Sequence, residues 1–476
     1  MDTQIHLPAQ FTDRMRAQLP DGFDAFMKSY EDPAQKAVRF STLRIRPDQI
    51  PSFAGYVTGS SAPEKVSWCE NAYYYEDTEP GKSPLHDAGA YYMQEPSAMF
   101  PVSLLDVDDS GMKVLDLCAA PGGKSTQIAD LMKGRGLLVA NEIIPSRAAV
   151  LSENLERMGV TNALAVNSDP NELAQRFPAF FDRILVDAPC SGEGMFRKNP
   201  EAVSEWSIDN VNMCAERQQM LLACASSMLS PGGKIVYSTC TFSPEEDDET
   251  IGKFLDAHPE YMLCGNVHIY PHTHRGEGHF AAAIMRACDM TDSVNTAEAP
   301  VSSLSMNTET SARKQSRTSQ IMKSPIKSVN DALLSSFLDE TFSKDSYIRN
   351  VIESSPWRLL PFGDSLYLVP EHMPGDLTGL KIKRAGLKLG TFKKNRFEPD
   401  HALSHAVSCE DVKSYIDLDP DGDAIRNYLS GGTLTDTSGM KGWCLIGTRG
   451  IPAGWGKAAS GTVKNHYPAG LRKTQA

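Results

Sequence analysis

The sequence lacks an apolar run of the about 18 residues that a membrane-spanning helix needs, so we predict no transmembrane segment. Its first residues, MDTQIHLPAQFTDRM, lack the basic region and apolar stretch of a secretory signal peptide. The ten cysteines include no CxxC pair, which argues against a structural zinc site and a secreted disulfide framework. We therefore expect a cytoplasmic monomer in a reducing compartment, without a metal site or a membrane partner.

An overall excess of positive charge is also missing, because 47 Lys and Arg against 60 Asp and Glu give a formal net charge of −13. Nucleic-acid binding depends on the charge of the face presented, however, and not on the average. The segment 378–397 carries seven Lys or Arg and no acid, with leucines and an isoleucine interleaved as in a strand. We predict that RNA phosphates contact Lys381, Lys383, Arg384, Lys393, Lys394 and Arg396, with help from Lys457, Lys464, His466, Arg472 and Lys473 near the end.

The length of 476 residues, 41% of them hydrophobic, allows two or three domains with sizeable cores. Residues 291–325 are rich in Ser, Thr, Asn and Gln, which is typical of a linker. We predict an N-terminal substrate-pocket extension at 1–100 and a catalytic core at 101–290. A C-terminal region follows at 326–476, with a possible division near 405.

From Lys113 onward short apolar strands alternate with amphipathic helices, a pattern that predicts an α/β protein with a doubly wound, Rossmann-like sheet. Such sheets bind ligands beyond the carboxyl ends of their strands. A further helix is predicted to begin at Ser243, since Ser243, Pro244 and Glu246 match a capping serine, a first-turn proline and a capping-box glutamate. The residues that end the predicted strands are Asp116, Glu142, Asp169, Asp187 and Cys240.

The first strand-to-helix turn, DLCAAPGGKST (116–126), allows three ligands. Its end matches a phosphate-binding P-loop, but Cys118 stands where that motif needs its first glycine. The GxGxxG pattern of a dinucleotide site is absent, because only Gly122 and Gly123 are present. S-adenosylmethionine fits better, since Lys124 and helix amides can meet its carboxylate. Glu142 can bind the two ribose hydroxyls, and Asp169 the adenine amino group.

Four motifs together resemble the Nop/Sun family of RNA cytosine-5 methyltransferases: DLCAAPGGKS, DAPCSGEGMFRK, YSTCTFSPEE and QEPSAM. The segments HRGEGHF (274–280) and KNHYPAGLR (464–472) resemble its F-type branch, which methylates bacterial small-subunit ribosomal RNA. The resemblance implies a PUA-like RNA-binding region in the C-terminal third. It also implies that S-adenosylmethionine contacts Cys118, Ala119, Ala120, Pro121, Gly122, Gly123, Lys124, Glu142, Asp169 and Asp187.

Methylation at carbon 5 needs a nucleophile, because this carbon does not attack a sulfonium methyl group unaided. A thiolate that adds to carbon 6 makes carbon 5 nucleophilic and leaves again after the transfer. The residues themselves leave two candidates open, Cys190 in DAPCSG and Cys240 in STCTF. The resemblance assigns the attack to Cys240 and product release to Cys190. Asp187 is placed to hydrogen-bond or protonate ring nitrogen 3 of the cytosine.

A stacked cytosine cannot reach a buried thiol, so the target must be unpaired or flipped outward. Arg197 and Lys198 are candidates to contact phosphates beside it. The resemblance implies methylation of RNA, most directly of ribosomal RNA or the small ribosomal subunit, with transfer RNA as the alternative substrate. Two alternatives of other classes are a nucleotide hydrolase built on the partial P-loop and a non-catalytic ribosome-assembly factor.

Overall fold

The structure is a computed structural model that describes residues 6–288, 328–353, 357–370, 372–436 and 438–473. These residues form four β-sheets, of three, eight, four and five strands. The linker predicted at 291–325 lies outside the described residues. Within the described part of the chain, no helix is both long and apolar enough to cross a membrane.

The N-terminal part carries an antiparallel sheet in the order β2-β1-β3, built on aromatic residues such as Phe40, Tyr73 and Tyr91, which are buried together. Its strands are β1 Ala37–Phe40, β2 Ala72–Tyr74 and β3 Tyr91–Gln94. Its helices are α1 Ala9–Gln18, α2 Phe23–Lys28, α3 Ile50–Thr58 and α4 Pro84–Asp87.

The central sheet has the order β13-β6-β5-β4-β7-β8-β10-β9, in which β6, β5, β4, β7 and β8 run parallel and β13 is the segment Ile382–Ala385 from later in the chain. Its strands from the middle of the chain are β4 Lys113–Asp116, β5 Leu137–Asn141, β6 Ala163–Val166, β7 Phe181–Asp187, β8 Leu229–Thr239, β9 Tyr261–Ile269 and β10 His279–Arg286. The surrounding helices are α5 Phe100–Ser103, α6 Gly123–Met132, α7 Pro145–Arg157, α8 Pro170–Arg176, α9 Pro200–Glu205, α10 Ile208–Met228 and α11 Asp248–Ala257.

Apolar cores cover both faces of this sheet. Leu115 and Ile184 belong to one core, while their neighbours Val114 and Leu185 belong to the other. Successive strand residues point to opposite faces, so short continuous apolar runs are what a doubly covered sheet requires. The predicted doubly wound fold is confirmed.

The helix predicted to begin at Ser243 begins instead at Asp248. Residues 244–247 form turns, in which the N–H groups of Glu246 and Asp247 donate to the carbonyl of Ser243. The capping-box prediction is wrong because the Glu246 side chain turns into the protein, where it accepts from the Ser191 N–H at 3.0 Å.

The C-terminal third forms two sheets that share one apolar core containing Leu389, Phe397 and Trp455. The first has the order β11-β12-β14-β15 and the second β16-β18-β19-β20-β17. The strands are β11 Trp357–Phe362, β12 Ser365–Pro370, β13 Ile382–Ala385, β14 Leu387–Lys393, β15 Arg396–Pro399, β16 Tyr415–Leu418, β17 Leu434–Thr435, β18 Gly442–Thr448, β19 Ile451–Ala459 and β20 Thr462–Asn465. The helices are α12 Ser328–Thr341, α13 Tyr347–Glu353, α14 His401–Ala406 and α15 Asp423–Leu429.

Strand β13 belongs to the C-terminal third in sequence but to the central sheet in space. It pairs antiparallel with β6, with Ile382 opposite Val166 and Ala385 opposite Leu164. The basic segment 378–397 is therefore a set of strands, as its alternating pattern predicts, but it is divided between two sheets.

Candidate active site

The carboxyl ends of β4, β5 and β7 meet where the strand order reverses, since β4 lies between β5 and β7. Asp116 at the end of β4 is fully buried, and its Oδ2 accepts from the Ser125 hydroxyl at 2.6 Å. Its Oδ1 is buried without a hydrogen-bond partner among the described residues. Burial raises the pKa of Asp116 to about 7. An unsatisfied buried acceptor at a topological switch point marks a place for a polar ligand.

The turn after β4 is held tightly against β5 and α7. The N–H of Ala119 donates to the Asn141 carbonyl at 2.8 Å, and Arg147 donates to the Ala120 carbonyl at 2.8 Å. Gly122 has a φ of +112°, and a Cβ there would lie 3.3 Å from the Leu151 side chain. The turn therefore needs glycine at this position. Helix α6 starts immediately after it, and the N–H groups of a first helical turn are suited to bind an anion.

Lys124, the lysine of the partial P-loop, forms an ion pair inside the protein. Its Nζ lies 2.8 Å from Oδ2 of Asp187, across the crevice at the end of β7. A P-loop lysine must reach the phosphates of a nucleotide, so this pairing argues against the hydrolase alternative. Cys118, from the same turn, is a thiol whose pKa is raised by burial.

Glu142 follows β5 and is 3% exposed. Its Oε1 accepts from the Ile144 N–H at 2.8 Å, and its Oε2 lies 3.3 Å from Arg147. Asp169 follows β6 and caps α8, where it accepts from the Asn171 N–H at 2.8 Å. Both acids stand at the same edge of the sheet as the turn after β4, so the structure brings together the three predicted parts of the donor site.

Asn167 belongs to this edge as well, although its sequence context carries no signal for it. Its side-chain amide donates to the carbonyls of Glu142 and Ile143 at 2.7 and 2.8 Å. Its backbone N–H donates to the carbonyl of Lys381, just before β13, at 2.9 Å. The segment that bears Glu142 is thus tied to the strand supplied by the C-terminal third.

The two candidate nucleophiles lie side by side at the ends of β7 and β8. The sulfur atoms of Cys190 and Cys240 are 3.3 Å apart, and the Cys240 N–H points at the Cys190 sulfur at 3.4 Å. The thiol contact with Cys240, together with burial, raises the pKa of Cys190 well above its usual value. In this arrangement the Cys190 thiol is held in its neutral form.

Asp187 is the last residue of β7, three positions before Cys190, and it pairs with Lys124 of α6. Besides Lys124, it accepts from the Ser238 hydroxyl at 2.8 Å on Oδ1. Burial alone would raise its pKa, but the Lys124 ammonium and His279 outweigh burial and lower the pKa below its usual range. Asp187 is therefore held as a carboxylate that accepts hydrogen bonds, which favours the hydrogen-bonding role predicted for it over protonation of ring nitrogen 3.

Two buried glutamates hold the loops that carry the cysteines. Glu246 accepts from Ser191 and from Gln218 at 2.8 Å, and burial raises its pKa to about 7. Glu193 accepts from the Phe242 N–H at 2.9 Å and the Ser243 hydroxyl at 2.7 Å. The sequence shows both as loop acids, and only the tertiary structure turns them inward.

Two of the predicted RNA contacts are internal, and these predictions are wrong. The Arg197 side chain is 5% exposed and its Nε lies 2.7 Å from Glu277. The Arg384 side chain is 7% exposed, lies 3.1 Å from Glu156, and donates to the Val160 carbonyl at 2.9 Å. Both guanidinium groups tie segments of the fold together and are not available to phosphates.

The remaining predicted contacts reach solvent. Lys198 is partly exposed, and burial lowers its pKa. Arg396 is exposed and paired with Glu398 at 2.6 Å. The other four predicted contacts in the segment 378–397 are exposed lysines, namely Lys381, Lys383, Lys393 and Lys394. Of the five near the end of the chain, Lys464, Arg472 and Lys473 are exposed, and Lys457 and His466 are partly exposed.

Comparison with known proteins shows which protein families this chain is similar to. Four family models match successive parts of the chain: the N-terminal domain of 16S rRNA methyltransferase RsmF (7–96), 16S rRNA methyltransferase RsmB/F (102–285), the RsmF rRNA methyltransferase first C-terminal domain (337–407) and the methyltransferase RsmF PUA domain (415–473).

Curated relatives match the chain over nearly its whole length. Ribosomal RNA small subunit methyltransferase F of Vibrio vulnificus (strain YJ016) is 32% identical, over 99% of this chain and 98% of that protein. The protein of the same name from Aeromonas salmonicida (strain A449) is 30% identical, again over 99% and 98%.

Two solved structures share the fold. A methyltransferase homolog from Pyrococcus horikoshii has a TM-score of 0.53 and 27% identity, and it covers 59% of this chain and 96% of its own. NSun6 from Pyrococcus horikoshii, solved with an S-adenosylmethionine analogue, has a TM-score of 0.51 and 20% identity, and covers 59% and 99%.

The fold, the strand-end site and these similarities define an S-adenosylmethionine-dependent RNA methyltransferase. More particularly, the chain belongs to the 16S rRNA methyltransferase RsmB/F family. The resemblance to Nop/Sun enzymes is thereby confirmed, as is a PUA domain in the C-terminal third.

Proposed function

We propose that this enzyme methylates carbon 5 of a cytosine in small-subunit ribosomal RNA through a covalent adduct with Cys240. The single observation that carries the proposal is the pair of sulfur atoms 3.3 Å apart beside the ionised Asp187. One thiol can attack while its neighbour acts on the product. The printed names of the full-length relatives support the small ribosomal subunit as the source of the RNA.

The residues present fit the methyl donor. Asp116 offers a buried acceptor without a partner among the described residues, Glu142 suits a ribose, and the N-terminus of α6 suits a carboxylate. The donor would be held by these groups and by the turn that precedes α6, and when bound it supplies an electrophilic methyl group.

The proposed reaction forms and then breaks a bond between Cys240 and the cytosine. The Cys240 thiol gives up its proton to solvent, and its sulfur bonds to carbon 6 while the electron pair of the double bond between carbons 5 and 6 moves into the ring. Carbon 5 then bonds to the methyl group as the bond between that methyl group and the sulfur of the donor breaks. A base removes the proton from carbon 5, the double bond between carbons 5 and 6 reforms, and the bond from carbon 6 to sulfur breaks. Cys190, a neutral thiol in contact with Cys240, is placed to assist this release.

Asp187 is placed to bind the cytosine ring as an acceptor. As the thiolate adds, electron density moves into the ring and ring nitrogen 3 becomes more basic. A carboxylate can then accept a hydrogen bond from a proton taken up at nitrogen 3, or from the exocyclic amino group. Its partner Lys124 keeps it ionised before the substrate binds.

The RNA is proposed to lie across the exposed lysines of the C-terminal third. Lys393 and Lys394 stand at the end of β14, and Arg396 begins β15. Phosphates contacted there would position the strand while the target cytosine leaves its stack. The proposal implies a monomer that acts in the cytoplasm, on naked RNA or on the small subunit.

Trapping on RNA that contains 5-azacytidine tests the chemistry, because this base forms the adduct but blocks its breakdown. We expect the wild type and Cys190→Ala to cross-link to the RNA and Cys240→Ala to lose the cross-link, as seen on a denaturing gel. Peptide sequencing should place the adduct at position 240. An adduct at 190, abolished by Cys190→Ala, would reverse the roles, and a wild type that never cross-links contradicts covalent catalysis.

Mapping of 5-methylcytosine in cells that lack the protein tests the substrate. Loss of a modified cytosine from small-subunit ribosomal RNA is expected. Loss from transfer RNA alone would favour the alternative substrate, and unchanged RNA with impaired subunit assembly would favour an assembly factor.

A further inference from the structure

We propose that His279 is a positioning residue of the transfer reaction, whose imidazole holds Oδ1 of Asp187 so that this carboxylate meets the cytosine in a fixed orientation. The inference rests on the proposed function. The segment HRGEGHF contains this histidine, but the family resemblance assigns it no role.

The sheet register brings His279 to the reacting groups. Phe280 of β10 pairs with Thr239 of β8, so His279 follows in register next to Cys240. Asp187 of β7 pairs with Ser238, two residues before Cys240. Because side chains alternate across a sheet, His279, Cys240, Ser238 and Asp187 share one face. The carboxylate, the attacking thiol and the imidazole therefore converge at one end of three adjacent strands.

The contacts of Asp187 leave a defined place for the imidazole. The Lys124 ammonium forms an ion pair with Oδ2 at 2.8 Å, and the Ser238 hydroxyl donates a hydrogen bond to Oδ1 at 2.8 Å. The Nε2 atom of His279 lies 3.6 Å from the same Oδ1. Hydrogen bonds of catalytic groups are often long before the substrate binds and shorten in the complex.

His279 has no other evident reason to be polar. It is 3% exposed, and neither ring nitrogen has a hydrogen-bond partner among the described residues. A buried donor or acceptor left unpaired costs about 1–3 kcal/mol, so an aromatic hydrocarbon would suit a purely structural position better. The nearby acceptor that Nε2 faces is Asp187.

The backbone beside His279 is fixed, which makes the residue suitable for positioning. Gly278 has a φ of +142°, and a Cβ there would lie 2.3 Å from the Phe242 ring. The Gly194 N–H donates to the Cys240 carbonyl at 2.9 Å, and a Cβ at Gly194 would lie 2.8 Å from the Gly278 carbonyl. The histidine is thus carried by a strand that packs directly on both cysteine loops.

An imidazole suits this place because it can donate a hydrogen bond without a full charge. Burial, followed by the Lys124 ammonium, lowers the pKa of His279, so the ring is neutral at neutral pH. A neutral donor steadies Oδ1 but leaves the carboxylate negative for the cytosine. A neutral imidazole also adds no second positive charge next to Lys124. Asp187 therefore has only one cation, Lys124, with which a bound cytosine must compete for the carboxylate.

Two substitutions separate positioning from packing. Glutamine places an amide nitrogen near the position of Nε2, whereas phenylalanine keeps the ring and removes the donor. Single-turnover methylation of small-subunit RNA should fall at least about tenfold in His279→Phe and stay within about threefold of wild type in His279→Gln. The KM for S-adenosylmethionine should not change in either variant. A matched control is Phe280→Leu, which alters a fully buried neighbour that pairs with Thr239.

The pH profile gives a readout that packing alone would not move. The groups that face Asp187 are Lys124 of α6, His279 of β10 and Ser238 of β8, with Asp116 of β4 as a further charge. Glu95 faces His279 from the segment after β3. Asp187 must be ionised to act, and His279 contributes to lowering its pKa. Removal of the imidazole raises this pKa, so the acid limb of the rate profile should move to higher pH in His279→Phe and not in Phe280→Leu.

The outcomes separate the two proposals. A wild type that makes 5-methylcytosine, with a His279→Phe variant of equal rate and profile, overturns the role of His279 alone. Equal loss in the Phe and Gln variants, with lower melting temperatures and an unmoved acid limb, also overturns it. A wild type that makes no 5-methylcytosine overturns the proposed function, and the positioning role with it.

Discussion

At the scale of single residues, the site is built from buried acids whose surroundings set their protonation in opposite directions. Asp187 has an ammonium neighbour and stays ionised, whereas Glu246 has only neutral donors around it, and burial dominates. Asp187 ends β7 and Glu246 follows the neighbouring strand β8, but the two carboxyl groups differ in protonation. Asp187 pairs with Lys124, and Glu246 holds the Cys190 loop through Ser191.

Glu246 makes the stability of the fold depend on pH. Its folded pKa, about 7, lies above the ordinary value of 4.5, so the folded state binds more protons between these values. The free energy of unfolding should therefore fall as pH rises through this window, by at most about 3 kcal/mol. Glu246→Gln should remove this part of the slope in urea titrations performed from pH 4.5 to 8.

Glu245 provides the control for this prediction. It is bonded to Arg14, which lowers its pKa, so its contribution to stability is lost as pH falls. Glu245→Gln should lower stability at neutral pH and leave the slope between pH 5 and 7 in place. A Glu246→Gln protein with the wild-type slope would show that Glu246 is ionised throughout.

At the scale of secondary structure, the edge of the central sheet carries the least expected feature. Strand β13 closes that edge, and its Arg384 reaches back to Glu156 on α7. The N–H of Asn167 is bonded to the Lys381 carbonyl beside it, and the Asn167 side chain supports the segment that bears Glu142. The C-terminal third thus supports the segment that bears Glu142.

Removal of Arg384 should therefore weaken the whole protein. Arg384→Met leaves Glu156 partly buried without its cation, and we expect a loss of about 2–3 kcal/mol of unfolding free energy, measured by urea denaturation. Adding Glu156→Leu should restore part of this loss. The neighbouring Lys383→Met, which changes an exposed side chain, should stay within about 0.5 kcal/mol of wild type. Equal effects of the two single changes would contradict a structural role for Arg384.

At the scale of the whole molecule, side-chain contacts join the N-terminal part to the C-terminal third, and positive charge is concentrated on one part of an acidic protein. Arg44 of the N-terminal part donates to the carbonyls of Ala88, His405 and Pro452, and so joins α14 and β19 of the C-terminal third to the first domain. The acidic balance of −13 contrasts with the exposed lysines of β13 and β14. An acidic body with a basic edge favours one orientation of an RNA strand.

The exposed basic residues at the turn between β14 and β15 should determine how strongly RNA binding depends on salt. Replacement of Lys393, Lys394 and Arg396 by Ala should weaken binding and flatten the plot of log affinity against log salt, by about 0.7 for each phosphate that the protein no longer neutralises. The double variant Lys133→Ala and Lys253→Ala, which removes exposed lysines elsewhere, is the matched control. Affinity and slope equal to wild type in the triple variant would exclude these residues as RNA contacts.

Regular elements of the central domain were predictable because their causes are local. The strand ending at Asp116 and the helices at 145–157 and 208–228 follow from short apolar runs and 3.6-residue periodicity. The capping pattern at Ser243 predicted the helix start wrongly, because the Glu246 side chain accepts a hydrogen bond from the buried Ser191 N–H and does not cap the helix. Likewise Arg197 and Arg384 carry the same local signal as exposed cations, and only distant carboxylates decide their burial.

The sequence by itself determined the alternation of strands and helices, the glycine turn before α6, and the presence of two cysteines at strand ends. These depend on neighbours in the chain, on backbone freedom at Gly122, and on the chemistry of thiols. Only the tertiary structure decided that the two sulfur atoms touch, that Lys124 pairs with Asp187, and that β13 completes the catalytic sheet. These contacts join residues far apart in the chain, and their energies depend on burial and distance, which no local pattern encodes.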